Sequence, residues 1–358
     1  MTTTDTQPAP ASSLYTQQRL LFMTLDPVHV GAGGYRLGRV DMTIAREPGT
    51  NLPKIPGTSL AGAARSYAAM SYGKPSAAGK HGNFKGKKKE CPIIYTFGTA
   101  PVDASEANAS KDASTQAGTI SIADARILFF PVNSMAGPVW VSTVDIVREA
   151  WGQDSVTLPQ NVVPTNDTVV TNMDWEKNLN LGWLLFNCTK GLTITPPASL
   201  TLQPEWKGIS DRIVLVTIKL FSQIVNSNLE VRTSVSINPE TGAAEAHALF
   251  TYEAIPRTTW LWSDVVEDDY RRNNGDYPFP VDKQYDSINN AEKVGADLPP
   301  KKNGQKDIWK QPLHVVSAGM RLIEYLGVGG MGTRGFGRMR LVDEWVVQEA
   351  KNEPSKQQ

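Results

Sequence analysis

The chain has 358 residues, with 36 lysines and arginines against 36 aspartates and glutamates, and 40% of it is hydrophobic. That length holds one large domain or two around a real core, and the balanced charge excludes a globally basic binder, so any polyanion footprint must be local. Two cysteines, Cys91 and Cys188, exclude a disulfide scaffold and fit a reducing compartment; with no apolar run near the ~20 residues that span a bilayer and no apolar signal core in MTTTDTQPAPASS, the expected setting is cytoplasmic, with no membrane partner.

Residues 1–18 read as a flexible arm. Arg19 to Asp26 reads as a strand that Pro27 ends, and a glycine-punctuated basic segment follows, PVHVGAGGYRLGRVDMTIAREPGTNLPKIPGTSLAGAAR, from Pro27 to Arg65. Within it, Thr58 or Ser59 N-caps a helix from Leu60 to about Ser71. Residues 72–117 read as an insertion of Gly/Lys/Ser-rich and Ala/Ser/Asp/Asn-rich loops. Thr119 to Phe130 reads as one strand, and 152–180 as a second, irregular insertion. Leu229 to Ile237 alternates, Asn238 to Gly242 turns, and Ala246 to Ile255 returns, which predicts a protruding β-hairpin within 229–256. A third insertion, 266–304, carries the acidic cluster Glu267, Asp268 and Asp269. Gln311 to Leu326 is an amphipathic helix with Leu313, Val316, Met320, Ile323 and Leu326 on its apolar side. A second glycine run, GVGGMGTRGFGRMR from Gly327 to Arg340, leads into a last strand, Arg338 to Val347, and a tail over 348–358. Without the loops the order is β-α-β-β-α-β, which predicts an α+β, modified ferredoxin-like domain over 19–347 with both glycine segments on one side of its sheet.

The two glycine segments carry the chemistry. Glycine lets backbone approach a ligand closely, and arginine forks match phosphate geometry. GVGGMGTRGFG contains a GxGxxG spacing, but a helix precedes it and a strand follows, the reverse of a dinucleotide fingerprint. Six glycines in eleven residues, with Arg334 inside and Arg338 just after, read instead as a backbone nest for phosphates. Thr58 and Ser59 at a helix N-terminus form a second anion site. The run Lys80, Lys85, Lys87, Lys88 and Lys89 reads as a solvated loop, and His81, Cys91 and Cys188 lack metal-ligand spacing. Asp41 stands among Arg36, Arg39 and Arg46, where a phosphate would be drawn in. A single carboxylate beside a phosphate is enough to hold a hydrated divalent ion.

The segment from His29 to Arg65 resembles the N-terminal signature of the RAMP superfamily, the RNA-binding proteins of CRISPR effector complexes. GGMGTRGFGRMRL (329–341) resembles that superfamily's C-terminal glycine loop. GTISIADARILFFPV (118–132) and VNSNLEVRTSVSINPETGAAEAHALFTYEAIP (225–256) resemble the repeated backbone subunit of type III-B (Cmr) complexes. The resemblance implies a ferredoxin-like palm with a hairpin thumb, and copies of the chain stacked along a crRNA beside other effector subunits. It also implies a target RNA cut at regular intervals where the thumb displaces a base pair. The Val40-Asp41 pair matches the family's cleaving position, so the resemblance assigns cleavage and a Mg or Mn ion to Asp41 rather than Asp26. It assigns RNA contacts to His29, Arg36, Arg39, Arg46, Thr58, Ser59, Arg65, Gly330, Gly332, Thr333, Arg334 and Gly335. Arg65 there supplies the charge that Ala61 does not, at a position where the family often has lysine. Two other readings stay open from the residues themselves: a purely structural RNA-binding subunit, and an enzyme that binds a phosphorylated metabolite through the glycine loops.

Overall fold

The computed structural model describes residues 13–33, 40–79, 91–99, 117–244, 249–273, 279–280 and 309–351. In chain order it forms β1 (Ser13–Thr24), β2 (Lys54–Ile55), α1 (Gly57–Ser71), α2 (Pro92–Phe97), β3 (Ile120–Ile122), β4 (Ala125–Ser134), β5 (Gly137–Ser142) and α3 (Val144–Trp151). Then come β6 (Val156–Thr157), β7 (Thr168–Thr171), β8 (Leu179–Leu181), β9 (Leu184–Lys190), β10 (Thr193–Ile194), α4 (Pro204–Lys207), β11 (Ile213–Leu215) and α5 (Ile218–Ser227). The chain closes with β12 (Glu230–Ser234), β13 (Phe250–Ala254), β14 (Trp260–Glu267), α6 (Tyr270–Asn273), α7 (Pro312–Leu326) and β15 (Met339–Lys351).

The expected α+β class holds. One eleven-stranded sheet runs β15-β1-β14-β4-β5-β11-β7-β9-β8, with β2 added on β4 and β3 on β14. Its first four strands are mutually antiparallel. β4 links the two halves of the sheet, pairing with β14 through Arg126 to Phe129 and with β5 through Phe130 to Ser134. Side chains alternate across a strand, and both faces of this sheet are covered. Leu20, Phe22, Leu261 and Val265 face α1 and α7, whereas Leu21, Trp260 and Trp262 face α3 and α4.

α1 and α7 cross so closely that a Cβ on Gly319 would lie 2.1 Å from the Ala64 carbonyl oxygen. The hairpin β12–β13 is a separate two-stranded ribbon. Its turn is fixed by Asn238, whose side-chain oxygen accepts from the Glu240 and Thr241 N–H groups, an Asx turn.

The structure corrects several boundaries. β1 begins at Ser13, inside the expected 1–18 arm, and β15 extends to Lys351, inside the expected tail, because Ser13 pairs with Lys351 at the two ends of one ladder. Pairing between polar ends far apart in sequence leaves no mark in local composition. The expected strand Thr119–Phe130 divides at Ala123-Asp124 into β3 and β4. The 152–180 insertion contributes β7, wedged between β11 and β9, with Val169 and Val170 buried. Of the acidic cluster, Glu267 and Asp269 are buried: Glu267 accepts from the Leu313 N–H in the first turn of α7, and Tyr95 donates to Asp269. Leu326 is exposed rather than on the buried side of α7. Most of the 72–117 and 266–304 insertions, the lysine run and His81 lie outside the described residues.

The α1–α7 contact gives a stability test. Gly319→Ala should destabilise the protein by about 1–3 kcal/mol, the range for overpacking. Exposed Gly62 in α1 has nothing within 4 Å of its Cβ position, so Gly62→Ala should stabilise by about 0.5–1 kcal/mol. Thermal unfolding of the two variants should move in opposite directions.

Candidate nucleic-acid interface

Three segments meet through their backbones. Val28 and Ile255 exchange both hydrogen bonds, at 2.8 and 2.9 Å, which joins the start of the first glycine segment to the end of the hairpin. Gly330 N–H donates to the His29 carbonyl at 2.9 Å, and Gly337 N–H donates to the Pro27 carbonyl at 2.9 Å, which lays the second glycine run along the first. Only glycine fits at 329: φ is +85°, and a Cβ would lie 2.4 Å from the His29 carbonyl oxygen. The two segments therefore share one side of the molecule, as expected.

Between them runs a groove of about 320 Å³, lined by Thr58, Ser59 and Gly62 of α1 and by Gly327, Gly329 and Gly332 of the loop. The Tyr67 hydroxyl donates to the Gly327 carbonyl at 2.6 Å and sets the spacing between helix and loop. The N-terminus of α1 points its dipole at this groove. Thr58 and Ser59 are not its caps: the N-cap is Pro56, and the Gly57 N–H is capped by Asp124, which also pairs with Lys54 at 2.6 Å. Burial would raise the Asp124 carboxyl, but Lys54 and the Gly57 N–H outweigh it and hold the group below the usual carboxylate range.

The other assigned residues separate by environment. Arg334 is exposed in the turn Gly332–Arg334, and Thr333, Gly332 and Gly335 are exposed beside it. His29 is buried, with Nδ1 2.7 Å from the Glu253 carbonyl. Arg46 is drawn inward: its guanidinium grips Glu253 through two bonds of 2.5 and 3.0 Å and donates to Asn226. Arg65 donates to the Ala77 carbonyl, and burial lowers its pKa. Arg338, just before β15, pairs with Asp26, just after β1, so the carboxylate of Asp26 is tied up in an ion pair. Arg36 and Arg39 lie outside the described residues.

Asp41 is exposed at the junction of the first segment and β13. Its Oδ2 accepts from the Thr251 N–H at 2.7 Å and from the Thr251 hydroxyl at 3.0 Å. Those two bonds, the backbone one first, lower its pKa below the ordinary 3.8. The adjacent backbone is pinned too, by a bridge between Met42 and Tyr252. Among the described residues no three His, Cys, Asp or Glu side chains gather as a metal cage. Asp41 is thus a lone, oriented carboxylate, which fits a hydrated ion shared with a substrate phosphate and not an all-protein metal site.

Sequence reasoning missed Thr251, which orients Asp41, and an aromatic group formed by Tyr252, Phe250 and Phe336. The signal was present in β13, where Phe250 and Tyr252 alternate with Thr251 and Glu253 and so face the opposite way.

Two arginines should behave in opposite ways. Arg46→Ala leaves Glu253 buried without its partner and should cost about 3 kcal/mol of stability, read by chemical denaturation. Arg334→Ala should leave the melting temperature in place and lower the slope of log K against log salt for RNA by about one.

The sequence pattern of the RAMP superfamily matches residues 21–340. The CRISPR system Cmr endoribonuclease Cmr4 of Pyrococcus furiosus is 29% identical over 256 residues, 68% of this chain and 79% of that protein. Among solved structures, an apo type III-B Cmr-beta complex contains a chain that matches with a TM-score of 0.55 at 12% identity, covering 93% of this chain and 98% of that one. The Cmr-beta complex bound to cognate target RNA gives 0.54 at 13% identity over 94% and 99%. Oligomeric Cmr4 from P. furiosus gives 0.50 at 18% identity over 93% and 99%. These structures share its fold, and the pattern that spans nearly the whole chain makes the protein a member of the RAMP superfamily.

Proposed function

We propose that this chain is a crRNA-binding backbone subunit of a type III CRISPR effector and a metal-dependent endoribonuclease that cuts the paired target RNA. The observation that carries the reading is the exposed Asp41 carboxylate, held by Thr251 where the first glycine segment meets the hairpin. The antiparallel group β15-β1-β14-β4 with α1 and α7 is the ferredoxin-like palm in this reading, and β12–β13 is the thumb. Cmr4 of P. furiosus, 29% identical, is named an endoribonuclease, one structural neighbour was solved with target RNA, and another as an oligomer. Guide RNA, target RNA, further copies of the chain and other effector subunits are the partners this implies.

The palm grips RNA without reading sequence. The Gly327–Gly332 backbone, Thr58 and Arg334 contact phosphates, and the hairpin interrupts the guide–target helix. RNA carries its own nucleophile in the 2′-OH, but within a regular helix that oxygen is not in line with the neighbouring phosphorus. Displacing a nucleotide at the hairpin allows the alignment. The 2′ oxygen then bonds to phosphorus, the bond to the 5′ oxygen breaks, the 2′-OH proton passes to solvent and the leaving oxygen takes one up. The products are a 2′,3′-cyclic phosphate and a 5′-OH.

Asp41 is a poor proton acceptor, because efficient general bases have a pKa near the working pH and Thr251 lowers this one. Its role is to place negative charge at a fixed point beside the phosphate. A Mg or Mn ion bound there would supply positive charge to the phosphate oxygens. Thr251 sets where the carboxylate stands.

Asp41→Ala should assemble normally, bind target RNA at least as well as wild type, and cut it roughly a hundredfold or more slowly. Asp26→Ala, which breaks only the exposed pair with Arg338, should still cut, and EDTA should mimic Asp41→Ala. Wild-type cutting by Asp41→Ala would leave the purely structural subunit as the function.

The pH dependence has a defined sign. A carboxyl with its folded pKa below its unfolded one is ionised above that unfolded value, and its contribution fades only as pH falls through the folded one. Between pH 5 and 8 Asp41 keeps its charge, so the cleavage rate should show no inflection from it there. An acid limb centred between pH 5 and 6 that disappears in Asp41→Asn would contradict this.

A further inference from the structure

Two arginines rest on one aromatic group. Its centre is the buried Tyr252, whose ring lies 5.8 Å from that of Phe250 and 5.3 Å from that of Phe336. The Arg232 guanidinium sits over Phe336 at 4.7 Å and pairs with Glu230 at 2.6 Å. The Arg334 guanidinium sits over the half-buried Phe250 ring at 5.0 Å. Among the described residues it has no carboxylate partner and donates no hydrogen bond. Arg46, Arg65, Arg338 and Arg340, in contrast, all use donors on carboxylates or backbone carbonyls. The turn that carries Arg334 is anchored on the same aromatic group: Met331, at φ +64°, packs against it, and its carbonyl accepts from the Arg334 N–H at 2.8 Å. Phe250 is placed by register, opposite Ser234 in the ribbon. Side chains alternate along a strand, so Phe250 points away from the face on which Thr251 holds Asp41.

From this arrangement we infer that Phe250 is a positioning residue for RNA binding, its ring holding the Arg334 guanidinium ready for a backbone phosphate. The inference rests on the RNA-binding reading above and adds to it the group that orients Arg334. A ring face attracts a cation through its quadrupole and takes up none of the five guanidinium N–H donors, which stay available to an anion. A carboxylate in the ring's place would hold the side chain as well but neutralise it, as Glu230 does for Arg232. An arginine loose in solvent would lose its rotamer freedom at the moment of binding. The ring removes part of that cost before RNA arrives. Its negative face also repels phosphate, so the phosphate meets Arg334 on the side away from the ring. Two neighbouring residues of β13 then set the site's charges: Phe250 places the cation and Thr251 the anion.

The test measures binding of the full chain to a short single-stranded RNA of mixed sequence across a salt series. Phe250→Leu fills much of the same space without a ring face and should bind about two- to fivefold more weakly, the scale of an exposed cation–π contact. Its slope of log K against log salt should match wild type, because the Arg334 charge is retained. Phe250→Tyr keeps the ring and should bind as wild type does. In an Arg334→Ala background Phe250→Leu should cause no further loss, since Phe250 acts only through Arg334. A loss that persists in that background overturns the positioning role, because Phe250 then acts on RNA directly or through the fold. Wild-type affinity in Phe250→Leu also overturns it and leaves the ring to packing. So does a salt slope in Phe250→Leu that falls as far as in Arg334→Ala, which marks a displaced loop. Wild type that binds no RNA overturns the RNA-binding reading together with this inference.

Discussion

The site depends on one strip of backbone, Pro27 to His29. Pro27 receives the Gly337 N–H, Val28 pairs in both directions with Ile255, and His29 receives the Gly330 N–H. These bonds lock the first glycine segment, the second glycine run and the hairpin into fixed relation, although the three are far apart in sequence. Glycine is needed where the strands of this junction come within van der Waals distance. With a side chain at 329 the second run would be pushed off His29, and the groove against α1 would lose its shape.

Charge within the junction is divided between structure and surface. Arg46–Glu253 ties β13 to the first segment, Arg338–Asp26 joins the residues just before β15 and just after β1, and Asp124 with Lys54 closes the start of α1. Arg334 and Asp41 are left facing outward, one cation and one anion on different sides of the hairpin ribbon. A polyanion is attracted to the first and must be held by backbone donors near the second. In the proposed function affinity and chemistry can then be altered separately, because the groups proposed to grip RNA are not the group proposed to stand at the reacting phosphate.

Much of this was legible in the sequence, and the reasons differ by element. α7 and the hairpin were readable because their periodicities of 3.6 and 2 continue over many residues, and the glycine segments because φ and close approach restrict what can replace glycine. Asp41 was distinguishable from Asp26 only through its Val40-Asp41 context and the resemblance. The inward turn of Arg46 was not readable, because its partner Glu253 lies some two hundred positions away. Thr251 was hidden for the same reason: the alternation of β13 sets which way it faces, but its bond to Asp41 arises from tertiary register. The sheet extension through β7 and β8 was missed because strands of four and three residues between turns carry too little pattern to stand out.

The account's central claim is that Asp41 stands at the reacting phosphate. It is tested most directly by imaging the assembled complex with uncleaved target RNA bound. The account predicts that in each copy a backbone phosphate oxygen at the displaced nucleotide lies about 4 Å from the Asp41 carboxylate, the span of two metal–oxygen bonds of about 2 Å. It also predicts that Thr251 still holds the other side of that carboxylate. Target RNA that passes with every phosphate well beyond reach of Asp41 would contradict it.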